Sequence, residues 1–242
     1  IKLKIHFLKM KIALLGYGRM GKEIEKIALQ RGHQIIIKTS GKEEYDITKA
    51  DIAIDFSIPT SAYANISNCV NNNIPVISGT TGWLASYNTI VDLCNEKKGA
   101  FIYASNFSLG VNVFFELNKQ LAKMMHTLSD YNIAIEEIHH TKKLDAPSGT
   151  AITLAEGIID NSEKENWELD KNTSEKNIPI TAIRTPDVPG THTVSYQSTI
   201  DTIDIKHTAH NRHGFALGAV VAAEWLINKT GVYTMRDVLN LG

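Results

Sequence analysis

One short stretch, Glu137 to Ala151 (EIHHTKKLDAPSGTA), holds the densest chemistry in the sequence. His139, His140 and Lys143 can exchange protons near neutral pH, the lysine when burial lowers its pKa. The same cations attract acids. Pro147 and Ser148 suit the first turn of a helix and Asp145 or Ser148 its cap, so the amides of Gly149 and Thr150 point outward without an intrahelical partner. A helix start of this kind binds an anion, and beside histidine and lysine a carboxylate is the natural guest. Singly, an exposed histidine is commonly surface and a capped helix start commonly structural. Their concentration in one segment points to proton transfer on a small acid.

A second motif, Gly16-Tyr17-Gly18-Arg19-Met20-Gly21, follows the apolar run Lys11 to Leu15 and opens a helical pattern through Ile24, Ile27 and Ala28. Strand, glycine turn and helix in that order form a dinucleotide loop. The glycines permit the turn, the approach of pyrophosphate and close helix packing. An acidic residue about 20 positions on, at the end of the second strand, normally bonds the ribose of NAD. Here that place reads Lys38-Thr39-Ser40-Gly41-Lys42, with no carboxylate before Glu43. Hydroxyls and lysines, with Arg19 as a second cation, suit a 2′-phosphate. The expected cofactor is NADPH or NADH, with NADPH favoured.

These residues need a scaffold. Ile35 to Ile37, Ile52 to Phe56, Pro75 to Ser78 and Ala100 to Ala104 alternate with the helical stretches Ser61 to Asn72 and Leu84 to Lys97, which predicts an α/β fold with a Rossmann-type doubly wound parallel sheet. The strands end in polar turns at Ser57, Gly79-Thr80-Thr81-Gly82 and Ser105-Asn106, the edge where ligands gather. Beyond Gly110 the texture changes: a helix over Val111 to Leu128, a strand over Ile133 to His139, a helix from Pro147 to Ile159, and a polar surface loop from Asn161 to Asn177. Strands follow at Ile180 to Arg184, Thr191 to Ser198 and Thr202 to Lys206. This predicts a smaller α+β domain with an open mixed sheet, one face of which could pair with another subunit. The apolar helix Phe215 to Ile227 is expected to pack back onto the first domain. Residues 10–110 and 212–242 would form the dinucleotide-binding domain, 111–211 the substrate and oligomerisation domain, and Ile1 to Lys9, ahead of Met10, an upstream extension.

The chain has 242 residues, 43% hydrophobic and 21% charged, as ordinary globular proteins have. A formal charge of -1 argues against a nucleic-acid partner. No apolar run is long enough to span a membrane. Cys69 and Cys94 lack metal or disulfide spacing and read as buried small hydrophobes. No metal is expected, and a reducing cytoplasm fits.

The segment E-x-H-H-x-x-K-x-D-A-P-S-G-T-A closely resembles the signature of the 4-hydroxy-tetrahydrodipicolinate reductases, also called dihydrodipicolinate reductases. The resemblance extends from Met10 to the C-terminus. Gly16 to Gly21 resembles the family's nucleotide loop. Asp55-Phe56-Ser57, Gly79 to Gly82 and Ala104-Ser105-Asn106-Phe107-Ser108 resemble the loops that hold the nicotinamide half. His207-Thr208-Ala209 with Arg212, Phe215, Ala216 and Gly218 resembles its hinge. The resemblance implies His139 as catalytic acid or proton relay, Lys143 holding substrate and delivering the proton, His140 on a substrate carboxylate, and Ser148, Gly149 and Thr150 cradling a carboxylate. Gly16, Tyr17, Gly18, Arg19, Met20, Gly21, Lys38, Ser57, Gly79, Thr80, Thr81, Ser105, Asn106, Phe107 and Arg212 would bind cofactor.

It further implies a homotetramer, reduction of a small cyclic dicarboxylate with loss of water in lysine and diaminopimelate synthesis, and closure about hinges near Gly110 and His213-Gly214. Two features depart from the family: little room for a helix between the second and third strands, and no acidic residue for the adenosine ribose. Two rival readings share the glycine loop but leave the histidine and lysine segment unexplained. They are an aspartate-type amino-acid dehydrogenase on the same scaffold and a non-catalytic NADP-binding sensor.

Overall fold

Six short runs of branched apolar residues build the first sheet, and a computed structural model describes them within residues 9–41, 43–170 and 174–241. They are β1 (Lys11–Leu15), β2 (Gln34–Thr39), β3 (Ile52–Asp55), β4 (Val76–Ser78), β5 (Ala100–Tyr103) and β11 (Gly231–Tyr233). All pair in parallel, in the order β11-β5-β4-β3-β1-β2. Alternate residues serve opposite faces. Ile12, Leu14, Ile52, Ile54, Ile77 and Ile102 meet α1 (Arg19–Gln30) and α6 (His213–Leu226). Ala13, Leu15, Ala53, Val76 and Phe101 meet α2 (Pro59–Asn71) and α3 (Tyr87–Lys97). Each fully buried isoleucine or leucine contributes about 1.5–3 kcal/mol, so both faces are covered, as a parallel sheet requires. The strand order reverses between β1 and β3, which places the crevice for a ligand beyond the ends of those two strands.

The chain divides into two units, one of residues 1–109 with 213–242 and one of 110–212. In the first, α6 is small-residued because it packs closely: Ala216, Gly218, Ala219, Val220, Ala222 and Ala223 are all buried. A Cβ on Gly218 would lie 1.7 Å from the Phe107 carbonyl oxygen. Arg31 clamps Glu224 of α6 with two hydrogen bonds of 2.7 Å, and His33 meets the same carboxylate at 2.8 Å. The connection between β2 and β3 carries only a single 3-10 turn at Ile47–Lys49.

In the second unit, β6 (Asn132–His139), β7 (Asn166–Leu169), β8 (Asn177–Arg184), β9 (Gly190–Gln197) and β10 (Thr202–Ala209) form a mixed sheet ordered β10-β9-β6-β8-β7. Ile135, Ile178, Ile180, Val194 and Tyr196 share a core with α4 (Leu109–Met125) and α5 (Gly149–Ile159). The other face carries Ala134, Glu136, Thr181, Thr193, Ser195 and Lys206, paired across the ladder, and among the described residues no helix of this unit shares a core cluster with them. The polar stretch Asn161 to Asn177, expected as a loop, contains β7: Trp167 packs on the core and the strand pairs in parallel with β8 at the sheet edge. An edge strand needs only one apolar anchor, so its pattern is weak. The short α7 (Met235–Leu239), closed at its start by a Thr234–Asp237 capping box, completes the chain.

Candidate active site

The glycine loop is shaped by contacts that exclude side chains. Gly16 has φ +99 and faces Phe56, whose carbonyl oxygen a Cβ would meet at 2.1 Å; a Cβ on Gly21 would meet the Gly16 oxygen at 2.4 Å. The turn after β1 is thus pressed against the turn after β3, and α1 starts directly beyond it at Arg19, with Gly18 as its cap residue. Tyr17, Arg19 and Met20 line this start, Arg19 exposed.

Beneath the neighbouring turns lies a buried carboxylate, Asp55, at the end of β3. It accepts from Asn65 Nδ2 (2.9 Å), Ser78 Oγ (2.8 Å) and Thr80 Oγ1 (2.7 Å). Thr80 Oγ1 in turn accepts from the Ser57 amide at 2.9 Å. The structure therefore ties Ser57, Gly79 and Thr80 into one assembly, with Thr81 exposed at its rim. It also revises what Thr80 and Phe107 can offer. Both side chains are buried, the hydroxyl spent on Asp55 and the ring packed 5.7 Å from that of Phe56, so any contact with a ligand is left to their backbone. Ser105 is exposed on the turn after β5, and Asn106 caps the next turn by accepting from the Ser108 amide. Arg212 is exposed and belongs to the second unit, whereas the other residues named for the cofactor belong to the first.

At the end of β2, Lys38 reaches Glu25 at 3.2 Å and lies over the Tyr17 ring, while the Tyr17 hydroxyl donates to Glu25. Glu25 thus raises the pKa of Lys38 and keeps it charged. Glu43 folds back on the strand end and accepts from Thr39 Oγ1 (2.8 Å) and the amides of Ser40 (2.8 Å) and Gly41 (3.2 Å). Four positions of sequence separated Glu43 from the strand, but the turn returns its carboxylate to the place that looked empty. Lys42 falls outside the described residues.

The second unit assembles the histidine segment. β6 delivers Glu137 and His139 to the core face, and the turn after it carries His140 and Lys143, the Lys143 amide bonded to the His140 carbonyl at 3.0 Å. Lys143 Nζ donates to Asp145 Oδ2 at 2.6 Å. Ser148 is the cap of α5, accepting from the Ala151 amide at 3.2 Å. Its hydroxyl is also bonded to His192 Nε2 at 3.1 Å, and the residue is 2% exposed. The serine side chain thus faces inward, onto the Ala151 amide and His192. Gly149, where a Cβ would meet open space, and Thr150 form the first turn of α5.

Sequence reasoning passed over the group that joins these parts. Glu137, fully buried, accepts from Arg184 Nη2 at Oε1 and from the Ser148 amide at Oε2, both 3.1 Å, and has His139 Nδ1 at 3.3 Å and His192 Nε2 at 3.7 Å. Burial pushes its pKa up, but the donors from His139, Ser148 and Arg184 outweigh that and hold it at about 2. Burial, then the neighbouring His139, press His192 down to about 3, so it is a neutral imidazole. Glu137, His139 and His192 lie close enough to ligate a cation, with ligand atoms within 4.8 Å of one another. Arg184 already balances the carboxylate, so the cluster closes electrically without one. The signal in the sequence was faint: Arg184 and His192 sit on β8 and β9, far along the chain from His139.

Two family models, described as dihydrodipicolinate reductase N-terminus and C-terminus, match residues 10–107 and 110–239. The 4-hydroxy-tetrahydrodipicolinate reductase of Christiangramia forsetii is 58% identical over 235 residues, covering 96% of this chain and 98% of the relative. That of Thermosipho africanus is 34% identical, covering 95% and 98%. Among solved structures, dipicolinate-bound dihydrodipicolinate reductase from Paenisporosarcina sp. TG-14 aligns with a TM-score of 0.71 at 22% identity, over 94% of this chain and 98% of that one. An amine dehydrogenase from Mycobacterium smegmatis shares the fold at TM-score 0.59 and 9% identity, over 94% and 95%. The matches to both halves, together with a 58% identical relative along nearly the whole length, establish that this chain belongs to the dihydrodipicolinate reductase family.

Proposed function

We propose that the chain, an oxidoreductase of lysine and diaminopimelate synthesis, reduces 4-hydroxy-tetrahydrodipicolinate to tetrahydrodipicolinate with loss of water. The observation that carries this reading is the union, at one end of β6, of a buried histidine, a lysine and a helix start with outward amides. Gly149 and Thr150 would take one ring carboxylate on the first amides of α5. Lys143 would exchange Asp145 for the other, with His140 beside it. His139 or Lys143 would supply the proton to the ring. A nicotinamide cofactor, when bound, supplies the hydride. In the first unit Gly16, Gly18 and Gly21 would admit its pyrophosphate to the start of α1, and the Asp55 assembly would set the turns that receive its other half.

For the cofactor, Lys38 is paired with Glu25, and the Glu43 carboxylate lies at the end of β2 on Thr39 and Ser40. We propose NADH as the preferred form and NADPH as the second. The helix-free face of the second sheet supports a homotetramer assembled through it, which light scattering in solution would check. Two buried free thiols, Cys69 and Cys94, suit a reducing cytoplasm. Among the described residues no helix is long and apolar enough to cross a membrane.

The test is loss of reduced-nicotinamide absorbance with the freshly generated cyclic substrate. Native chain should turn over, and His139→Gln and Lys143→Ala should each lower kcat about 100-fold. Near-normal turnover in both variants, or activity only with an amino acid and oxidised cofactor, would overturn the reading.

A further inference from the structure

His139 presents two ring nitrogens to different surroundings. Nδ1 is buried, makes no aligned hydrogen bond among the described residues, and has Glu137 Oε2 at 3.3 Å as its ion-pair neighbour. Nε2 lies over Gly190, where a Cβ would come within 3.1 Å of it. The ring is held edge-on against His192, with centroids 5.0 Å apart. Glu137 is a carboxylate, and a carboxylate only accepts. The negative oxygen at 3.3 Å favours the proton on the nitrogen that faces it, whatever the charge of the ring. In neutral His139 this leaves Nε2 bare on the side that Gly190 keeps open.

The same oxygen, Oε2, also accepts from the Ser148 amide at the head of α5, and Oε1 accepts from Arg184, whose Nη2 goes on to the Asp145 carbonyl at 2.7 Å. One side chain thus fixes the tautomer of the histidine, the start of the helix that offers amides to an acid, and the loop that carries Lys143.

We infer that Glu137 is a positioning residue for the proposed reaction, holding His139 with its proton on Nδ1 and Nε2 presented over Gly190 while it anchors the first turn of α5. Glu137 touches neither substrate nor cofactor in this account. The inference rests on the proposed function for its chemical consequence, but its tautomer statement does not.

Glu137→Gln is informative because it keeps the shape and changes the donors. Arg184 can only donate, so the glutamine oxygen must turn to it. The amide nitrogen then faces His139 and Ser148, where both partners had been donors. His139 can answer only by moving its proton to Nε2 and accepting at Nδ1. The Ser148 amide has no such escape, which loosens the head of α5.

The measurement is side-chain nitrogen NMR of the histidines in the intact chain, well above the ordinary titration range of histidine, with His139 assigned by its loss in His139→Gln. The native chain should show the Nδ1–H form and Glu137→Gln the Nε2–H form. In parallel, kcat should fall about 100-fold, the pH dependence of kcat/KM should move, and affinity for pyridine-2,6-dicarboxylate should drop about 10-fold. Glu137→Asp, which keeps the charge, should restore part of the rate. An Nε2–H form in the native chain overturns the inference even if Glu137→Gln fails to fold. So does a native-like pH profile and kcat in a folded Glu137→Gln whose only change is a lower Tm, since that is a merely structural role. If the native chain does not reduce the cyclic substrate, the proposed function fails while the tautomer result still stands or falls by itself.

Discussion

Acid should weaken the second unit well above the pH at which carboxylates titrate, and His192 is the reason. Its imidazole is buried with its pKa lowered from 6.5 to about 3 by burial and by His139, with His207 and Lys143 pressing the same way and Glu137 against. The unfolded chain takes up the proton near pH 6.5, whereas the folded chain refuses it until about pH 3. Between those values the unfolded state binds more protons, so stability is full above pH 6.5 and falls as the pH drops. Each pH unit inside the window is worth about 1.4 kcal/mol. Acidification from 7.5 to 4.5 therefore removes about 2.7 kcal/mol, which for a chain of this length lowers Tm by about 5–11 °C. Glu137, depressed from 4.5 to about 2, continues the decline below pH 4.5. Thermal unfolding of native chain and His192→Gln at about pH 7.5, 5.5 and 4.5 would measure this. Glutamine can still bond Ser148 but does not titrate, so its Tm should be lower at neutral pH and flatter in acid. Equal slopes for the two proteins would refute the argument.

Three further outcomes follow from single contacts. Glu43→Gln should move the NADH to NADPH ratio of kcat/KM about 10-fold toward NADPH, because a carboxylate about 5 Å from a 2′-phosphate costs about 1.5 kcal/mol in a water-like medium. Steady-state rates with both cofactors would check it. Gly190→Ala should depress kcat, as its methyl group meets His139 Nε2, and should lower Tm measured by calorimetry as well, since φ +156 strains a residue with a Cβ. In Gly218→Ala the added Cβ collides with the Phe107 backbone, so Tm should fall by several degrees in the same measurement.

What the sequence made legible was local. The glycine loop, the capped start of α5 and the strand-helix alternation of the first unit are each written in fewer than about 20 consecutive residues, where spacing alone carries the meaning. Glu43 was misjudged because its role depends on a turn that brings it back by four positions. β7 was hidden because an edge strand with one packed tryptophan has almost no periodic signal. β11 and α7 were not read from the pattern at all, three and five residues being too short to show a period. The Glu137 cluster was invisible for the opposite reason. Its members are strong residues, but only the sheet register that sets Glu137 against His192, and His139 against Arg184, makes them neighbours.

Helix α6 and strand β11 complete a layer and a sheet begun more than a hundred residues earlier. During synthesis the N-terminal segment emerges first with Ile12, Leu14, Ile54 and Ile102 lacking the helix that covers them. The intervening unit can close around its own core before that cover arrives. A later portion of the chain therefore seals an earlier one, and a ribosome that stalls before Leu226 holds a chain whose second unit can close while the core of the first stays open and adhesive.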